Sequence, residues 1–96
     1  MPYATRSGDV SSGHNICAPT ELVTASGNVF INNKGAGRLG DRYASHSCPI
    51  HPPHQDVISE GSTTVFINGI SVARIGDSLS VAGSVATGSG NVKIGD

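Results

Sequence analysis

The chain has 96 residues, a formal net charge of -1 at pH 7 and 36% hydrophobic residues, and its 13 glycines and 13 serines disfavour helix interiors. This length favours a single domain over residues 1–96, with a core small enough to need a metal, a disulfide or a partner for stability. The low charge excludes the broad basic surface of a nucleic-acid-binding protein, and the sequence has no apolar run of roughly 20 residues that would predict a membrane span.

Short β-strands are predicted by a segment that occurs three times. The letters SGNVFIN at residues 26–32 recur as STTVFIN at residues 62–68 and, in a degraded form, as SGNVKIG at residues 89–95. Each copy is a β-branched or aromatic run behind small turn residues, which is typical of a strand. Weaker apolar segments precede the copies, at residues 22–24, 57–59 and 84–86.

A second recurring element carries the pattern Arg-x-Gly-Asp. It follows the first two copies, at residues 38–41 and 74–77, and its third occurrence is residues 6–9 at the other end of the chain. We therefore expect a closed ring of three units in which the third unit is assembled from the two chain ends. Such closure removes exposed strand edges and gives a pseudo-threefold domain.

The turns of these units are also predicted by their residues. Asn68 and Gly69 both tolerate a positive φ, so they predict a tight hairpin, and residues 33–35 would turn the equivalent one. In the Arg-x-Gly-Asp element, we expect glycine to adopt a special backbone conformation and aspartate to cap the turn. We further expect that aspartate to pair with the arginine of a neighbouring unit.

Two irregular stretches, residues 10–21 and 42–56, contain every histidine and cysteine of the chain. Loops on a β scaffold that carry such residues favour a zinc site, because zinc prefers four histidine or cysteine ligands in a tetrahedron. The alternatives are a Cys17–Cys48 disulfide, solvent-exposed histidines with buried cysteines, or a Cys–His catalytic pair. Carboxylates are sparse around the loops, which argues against catalysis. The six residues are His14, Cys17, His46, Cys48, His51 and His54.

Four features carry a family resemblance: the three Arg-x-Gly-Asp elements, the STTVFIN strand, the Gly-His pair at residues 13–14 and the His-Ser-Cys-Pro segment at residues 46–49. Together they resemble the PAAR-repeat family of spike-tip proteins. The strict Pro-Ala-Ala-Arg tetrapeptide does not occur in this chain. The resemblance covers essentially the whole chain and implies a single PAAR-like domain over residues 1–96. Its fold would be all-β, a small cone of short strands with a metal near the apex.

The resemblance further implies which residues hold the metal. The ligands would be His14, His46, Cys48 and His54, with His51 as the competitor of His54 for the last position. Zinc is the expected ion, and iron is the less favoured alternative because histidine also suits it.

The implied function is structural rather than enzymatic. The chain would cap and sharpen a trimeric β-helical spike in a phage tail baseplate or a type VI secretion machine, one chain per trimer, with effector cargo as a further partner. It would be assembled in the bacterial cytoplasm, lie at the tip of the virion tail or of the secretion apparatus, and contact the target membrane transiently. The alternative is a small zinc-bound enzyme or toxin that acts on the target envelope.

Overall fold

Six short β-strands form three separate antiparallel hairpins in the computed structural model of the chain. The structure describes residues 1–13, 17–48 and 51–95, apart from the side chains of residues 47, 48 and 51. None of these residues lies in a helix, so the described chain has no helix that could cross a membrane. The strands are β1 (Phe30–Ile31), β2 (Lys34–Gly35), β3 (His46–Cys48), β4 (His51–His54), β5 (Phe66–Ile67) and β6 (Ile70–Ser71).

Two of the hairpins are the predicted copies of one unit. Residues Phe30 and Ile31 of β1 pair with β2, and the equivalent residues of β5 pair with β6 in the same register. The turn between β5 and β6 has a φ of 52° at Asn68 and 80° at Gly69, as expected for a tight hairpin. The predicted repeat is therefore confirmed in the fold.

The third unit is completed by the two chain ends. Val92 accepts a hydrogen bond from the backbone N–H of Ala4 (2.9 Å), and Pro2 accepts one from Ile94 (2.8 Å). The Ala4–Val92 bond reproduces, between distant residues, the bond that Ala36 donates to Val29 within the first unit. This observation confirms the prediction that both termini build a single unit.

A closed ring of backbone hydrogen bonds lies where the three units meet. Thr5 donates to Ala73, Ala73 donates to Gly37, and Gly37 donates to Thr5, at 3.3, 3.0 and 2.9 Å. Each of these residues directly precedes the arginine of an Arg-x-Gly-Asp element. A β-carbon added to Gly37 would lie 2.6 Å from a methyl group of Thr5, so the ring leaves no room for a side chain there. The ring marks the pseudo-threefold axis.

Each Arg-x-Gly-Asp element is held by its own ion pair. In the clearest case, the carboxylate of Asp77 accepts from the backbone N–H of Arg74 (2.6 Å) and from its guanidinium (2.7 Å). The aspartates do cap the turns as expected, but the prediction that they pair with a neighbouring unit is wrong. The intervening glycine has a φ near +90° in all three units, which brings the aspartate back onto the arginine three residues before it.

The core has two apolar layers. The first layer contains the last apolar residue of each repeated strand, and the second contains one residue from each of the weaker apolar segments 22–24, 57–59 and 84–86. The molecule measures 37 × 24 × 22 Å and is therefore elongated. The first layer is Ala4, Ile31, Ala36, Ile67, Val72 and Ile94, and the second is Leu22, Tyr43, Ile58, Ala73, Leu79 and Val85.

Candidate metal centre and exposed apolar face

The hairpin of β3 and β4 interrupts the second irregular stretch and places two histidines side by side. His46 and His54 are paired directly across the two strands. We expected no regular structure here because the stretch is rich in proline. A two-stranded hairpin tolerates Pro52 and Pro53, since both of its strands are edge strands on which a missing N–H need not interrupt the ladder.

Three potential ligand atoms converge at the base of this hairpin. The Nε2 atoms of His46 and His54 are 2.9 Å apart, and the rings meet edge to face with centroids at 4.5 Å. In the Asp56 carboxylate, Oδ2 lies 3.4 Å from Nε2 of His46 and Oδ1 lies 3.7 Å from Nε2 of His54. Asp56 is only 1% exposed. Side chains of these types in this arrangement can hold a metal ion.

The hydrogen bonds of the two rings indicate why they suit a metal. Nδ1 of His46 contacts the carbonyl oxygen of Ala18 at 2.9 Å, and Nδ1 of His54 contacts that of Pro52 at 3.3 Å. A carbonyl oxygen can only accept, so both Nδ1 atoms carry the proton. In neutral rings, both Nε2 lone pairs then face each other and the Asp56 carboxylate. A proton on one Nε2 or a metal ion among the three groups satisfies this arrangement, and the donor types suit a metal.

The structure brings together two of the four predicted ligands. His46 and His54 converge, whereas His14 lies outside the described residues and nothing is described of the side chains of Cys48 and His51. The sequence argument missed Asp56, which it treated only as a nearby carboxylate. Its position two residues after His54, at the end of the proline-rich stretch, was the available indication.

Cys17 does not present a thiol. It is 4% exposed and disulfide-bonded, in agreement with the disulfide alternative at this residue. The sequence offers Cys48 as its one intramolecular partner, because the chain has only two cysteines. Metal ligation by Cys48 stays a prediction.

A buried tyrosine lies beside the candidate metal centre. Tyr43 is fully buried in the second core layer, and its backbone N–H donates to the carbonyl oxygen of Asp56 at 3.0 Å. Burial raises the pKa of Tyr43, and the carboxylates of Asp9, Asp56 and Asp77 raise it further. The centre is therefore anchored to the core through the backbone of Asp56.

Exposed aromatic side chains lie next to the first core layer. Phe30 and Phe66 occupy equivalent positions in their units and are 60% and 54% exposed, although each is followed by a buried isoleucine of the first core layer. The equivalent residue of the third unit is Lys93, whose ammonium group lies 5.4 Å from the centre of the Tyr3 ring. The aromatic residues thus adjoin the first core layer, whereas Asp56 is hydrogen-bonded to Tyr43 of the second layer.

Comparison with known proteins agrees with this geometry. A family model described as the PAAR motif matches residues 12–86, which is more than half of the chain, and the chain belongs to this family. It is also 40% identical over 80 residues to each of two proteins of Pseudomonas aeruginosa. These are the NAD(P)(+) glycohydrolase toxin Tse6 of strain PAO1 and the (p)ppApp synthetase toxin Tas1 of strain UCBPP-PA14.

The matched region is a small part of those toxins. Each match covers 77% of this chain and 18% of the toxin, so the chain spans about a fifth of their length. The two toxins carry names of different reactions, yet they share the same region with this chain. The shared region is therefore not what distinguishes one reaction from the other.

Proposed function

We propose that this chain, as a single domain over residues 1–96, is the structural tip that caps and sharpens a trimeric β-helical spike of a contractile injection machine. One chain would sit on each trimer and would not act as an enzyme. The observation that carries the proposal is the closed pseudo-threefold ring with exposed aromatic residues on one of its sides. Membership in the PAAR-motif family supports the same function.

The symmetry of the ring explains how one chain could cap three. The end of a trimeric β-helix presents three equivalent strand edges, and unpaired edges recruit other strands. A monomer with three near-equivalent units can cover all three edges at once. Phe30 and Phe66 would supply apolar anchors for two of the three subunits, and the stem of Lys93 would lie against the third.

The metal would stabilise the opposite end. We propose zinc, held by His46 and His54 together with the predicted ligand His14, and iron as the alternative ion. The predicted ligation by Cys48 needs a free thiol, so it and a Cys17–Cys48 disulfide exclude each other. The arrangement of the Nε2 atoms of His46 and His54 supports a bound cation. A metal would fix the β3–β4 hairpin to the core and stiffen the point that meets the target membrane.

The two relatives favour a secretion machine over a phage tail as the host of this tip. Both are named as toxins, and a region shared by two toxins of different chemistry suits a common delivery role. The chain would then lie at the tip of a type VI secretion apparatus, after assembly in the bacterial cytoplasm, and would link effector cargo to the spike.

The stoichiometry of the complex tests this proposal. The purified chain is mixed with the trimeric spike encoded beside it, and the mass of the complex is measured by native mass spectrometry. We expect one chain for each trimer. A complex of three chains with one trimer, or no complex with any such spike, would contradict the proposal and favour a small zinc-bound, envelope-acting enzyme or toxin.

A pair of matched substitutions locates the docking face. Phe30→Ser and Phe66→Ser should each weaken binding to the spike by about tenfold or more, because a buried aromatic anchor contributes at least about 1.4 kcal/mol. Val81→Ser is the control, since Val81 is 59% exposed but lies in the short connection between Leu79 and Ser84 on the side of the second layer. Equal weakening by all three substitutions would show that the face is misplaced.

A further inference from the structure

We propose that Tyr3 supplies the third aromatic anchor of the docking face, so that each of the three units presents one ring to the spike. This inference rests on the function proposed above and adds a residue to the contact that Lys93 makes. Phe30 and Phe66 are the exposed rings of two units, whereas the equivalent residue of the third unit is Lys93. The residue paired with Lys93 across the strands carries the third ring.

The ring changes strands between the units. In the first two units an aromatic residue of the first strand stands opposite glycine or serine in the second strand. In the third unit the order is reversed, because the first strand carries a lysine and the residue opposite is aromatic. The three cross-strand pairs are Phe30–Gly35, Phe66–Ser71 and Lys93–Tyr3.

Backbone hydrogen bonds place Tyr3 in the same position as its two counterparts. In each unit, the carbonyl oxygen of this residue accepts from the residue that follows the arginine of an Arg-x-Gly-Asp element. The donor always belongs to another unit, so the position lies at a boundary between units. The three bonds run from Ile75 to Tyr3, from Ser7 to Gly35 and from Leu39 to Ser71, at 2.9, 2.8 and 2.9 Å.

The Tyr3 ring lies on the docking face. Residues directly opposite each other in an antiparallel pair point to the same face, with their β-carbons about 4.5–5.5 Å apart. The ammonium group of Lys93 lies 5.4 Å from the centre of the Tyr3 ring, which agrees with a shared face and is within the range of a cation–π contact. Tyr3 is only half-buried, so part of its surface is accessible to a partner.

Close packing explains why the first unit presents its ring from the other strand. A β-carbon added to Gly35 would lie 2.6 Å from the carbonyl oxygen of Ser26 and 3.2 Å from the β-carbon of Ala25. The first unit therefore has no room for a side chain at the position of Tyr3, and its ring comes from Phe30. Both arrangements give one ring for each unit.

The three rings define what the partner offers. The subunits of a trimeric spike are identical, so the surface that meets the Tyr3 ring also meets Phe30 and Phe66. A carboxylate on that surface would suit Lys93 but would lose its hydration against two phenyl rings, which is unfavourable. We therefore expect each spike subunit to offer the same apolar recess, which takes one aromatic anchor.

The unaltered chain allows a direct test, because Tyr3 and Tyr43 are its two tyrosines and Tyr43 is fully buried. Tetranitromethane, which nitrates accessible tyrosines, should modify Tyr3 and spare Tyr43. We expect the trimeric spike to slow nitration of Tyr3 by at least about tenfold, measured by peptide mass spectrometry at a saturating spike concentration.

Two outcomes of this experiment would count against the inference in distinguishable ways. An unchanged nitration rate in a complex of one chain with one trimer would overturn the inference and leave the tip proposal intact. If the chain forms no such complex, or instead covers its rings by pairing with a second copy of itself, the tip proposal fails and the inference fails with it. Native mass spectrometry of the same samples separates these cases.

A swap of the two side chains tests the ring independently of nitration. Tyr3→Ser should weaken binding to the spike by about tenfold or more, and Tyr3→Phe, the matched control, should stay within about threefold of the unaltered chain. Combining Tyr3→Ser with Lys93→Phe recreates the Phe66–Ser71 pair, so this double variant should restore binding to within about threefold. Unchanged binding of Tyr3→Ser, or a double variant that binds no better than Tyr3→Ser, would overturn the inference. If Tyr3→Ser does not fold, the nitration of the unaltered chain decides.

Discussion

The ring and the β3–β4 hairpin are built by opposite means. The ring is made three times from near-identical segments, and its contacts are backbone hydrogen bonds and short-range Arg–Asp pairs. Among the described residues this hairpin occurs once, and its two histidines meet Asp56, which follows β4 in the chain. The comparison teaches that repetition supplies the symmetry of this molecule, whereas the non-repeated residues between the units supply its candidate metal site.

One structural position shows how the symmetry is broken inside the ring. Ser11, Tyr43 and Leu79 each follow an Arg-x-Gly-Asp element and form a β-bridge to the apolar segment of their own unit, at Val85, Leu22 and Ile58 respectively. One small and two large side chains thus fill the second core layer around the axis. Packing requires that their combined volume fit, rather than that the three residues be identical.

Removing the chain start should have the largest effect, because it opens the ring. Deletion of residues 1–9 removes Thr5 from the ring of hydrogen bonds and Ala4 from the first core layer, so we expect loss of cooperative folding in a thermal melt. Most terminal deletions are mild, which makes this outcome specific for closure. Removal of the exposed Met1 alone is the control, and a melting temperature that survives the longer deletion would refute closure of the ring.

Breaking one Arg–Asp pair should weaken the ring without opening it. Asp77→Ala leaves Arg74 partly buried and its backbone N–H without its acceptor, so the free energy of unfolding should fall by about 3 kcal/mol in urea titrations. Asp41→Ala should have a similar effect, since the units are equivalent. Glu21→Ala, at an exposed carboxylate, should change little. Very different values for Asp77 and Asp41 would show that the units are not energetically equivalent.

Removing the metal should affect the hairpin side and leave the docking face intact. At free zinc 100 times above its dissociation constant, binding stabilises the fold by about 2.7 kcal/mol, so chelation should lower the melting temperature by roughly 10–20 °C. The 1:3 complex with the spike should still form below that temperature. Elemental analysis that finds no stoichiometric metal in protein purified without chelator would refute this prediction.

The smallest expected effect concerns Tyr43, which lies between the two regions. Its buried hydroxyl makes no hydrogen bond of good geometry with the described residues and interacts only weakly with Thr5, so Tyr43→Phe should change stability at pH 7 by less than about 1 kcal/mol. Because burial raises the pKa of Tyr43 above its unfolded value near 10, the folded chain should lose stability as the pH rises above that value. The substitution should reduce this alkaline loss in urea titrations at pH 8–11. If the unaltered chain and Tyr43→Phe show the same pH dependence of stability, the alkaline loss of stability does not come from Tyr43.

The repeats in the sequence determine most of the fold. The VFIN copies, the Asn68–Gly69 turn and the Arg-x-Gly-Asp elements predicted two hairpins and a third unit completed by the termini, and the structure confirms each of them. These features are local or repeated, and therefore visible in the order of the residues. The chemistry of the side chains selected the six histidines and cysteines of the irregular stretches, and the family resemblance implied His46 and His54 among the ligands.

Only the tertiary structure decided which side of each strand is buried and which carboxylate faces the histidines. A strand of two residues is too short for alternation to show that Ile31 lies in the core while Phe30 is exposed. Pairing of each aspartate with its own arginine depends on a glycine φ near +90°, which the sequence allows but does not impose. The approach of Asp56 to His46 joins residues ten positions apart through a hairpin, and such a distance exists only once the chain has folded.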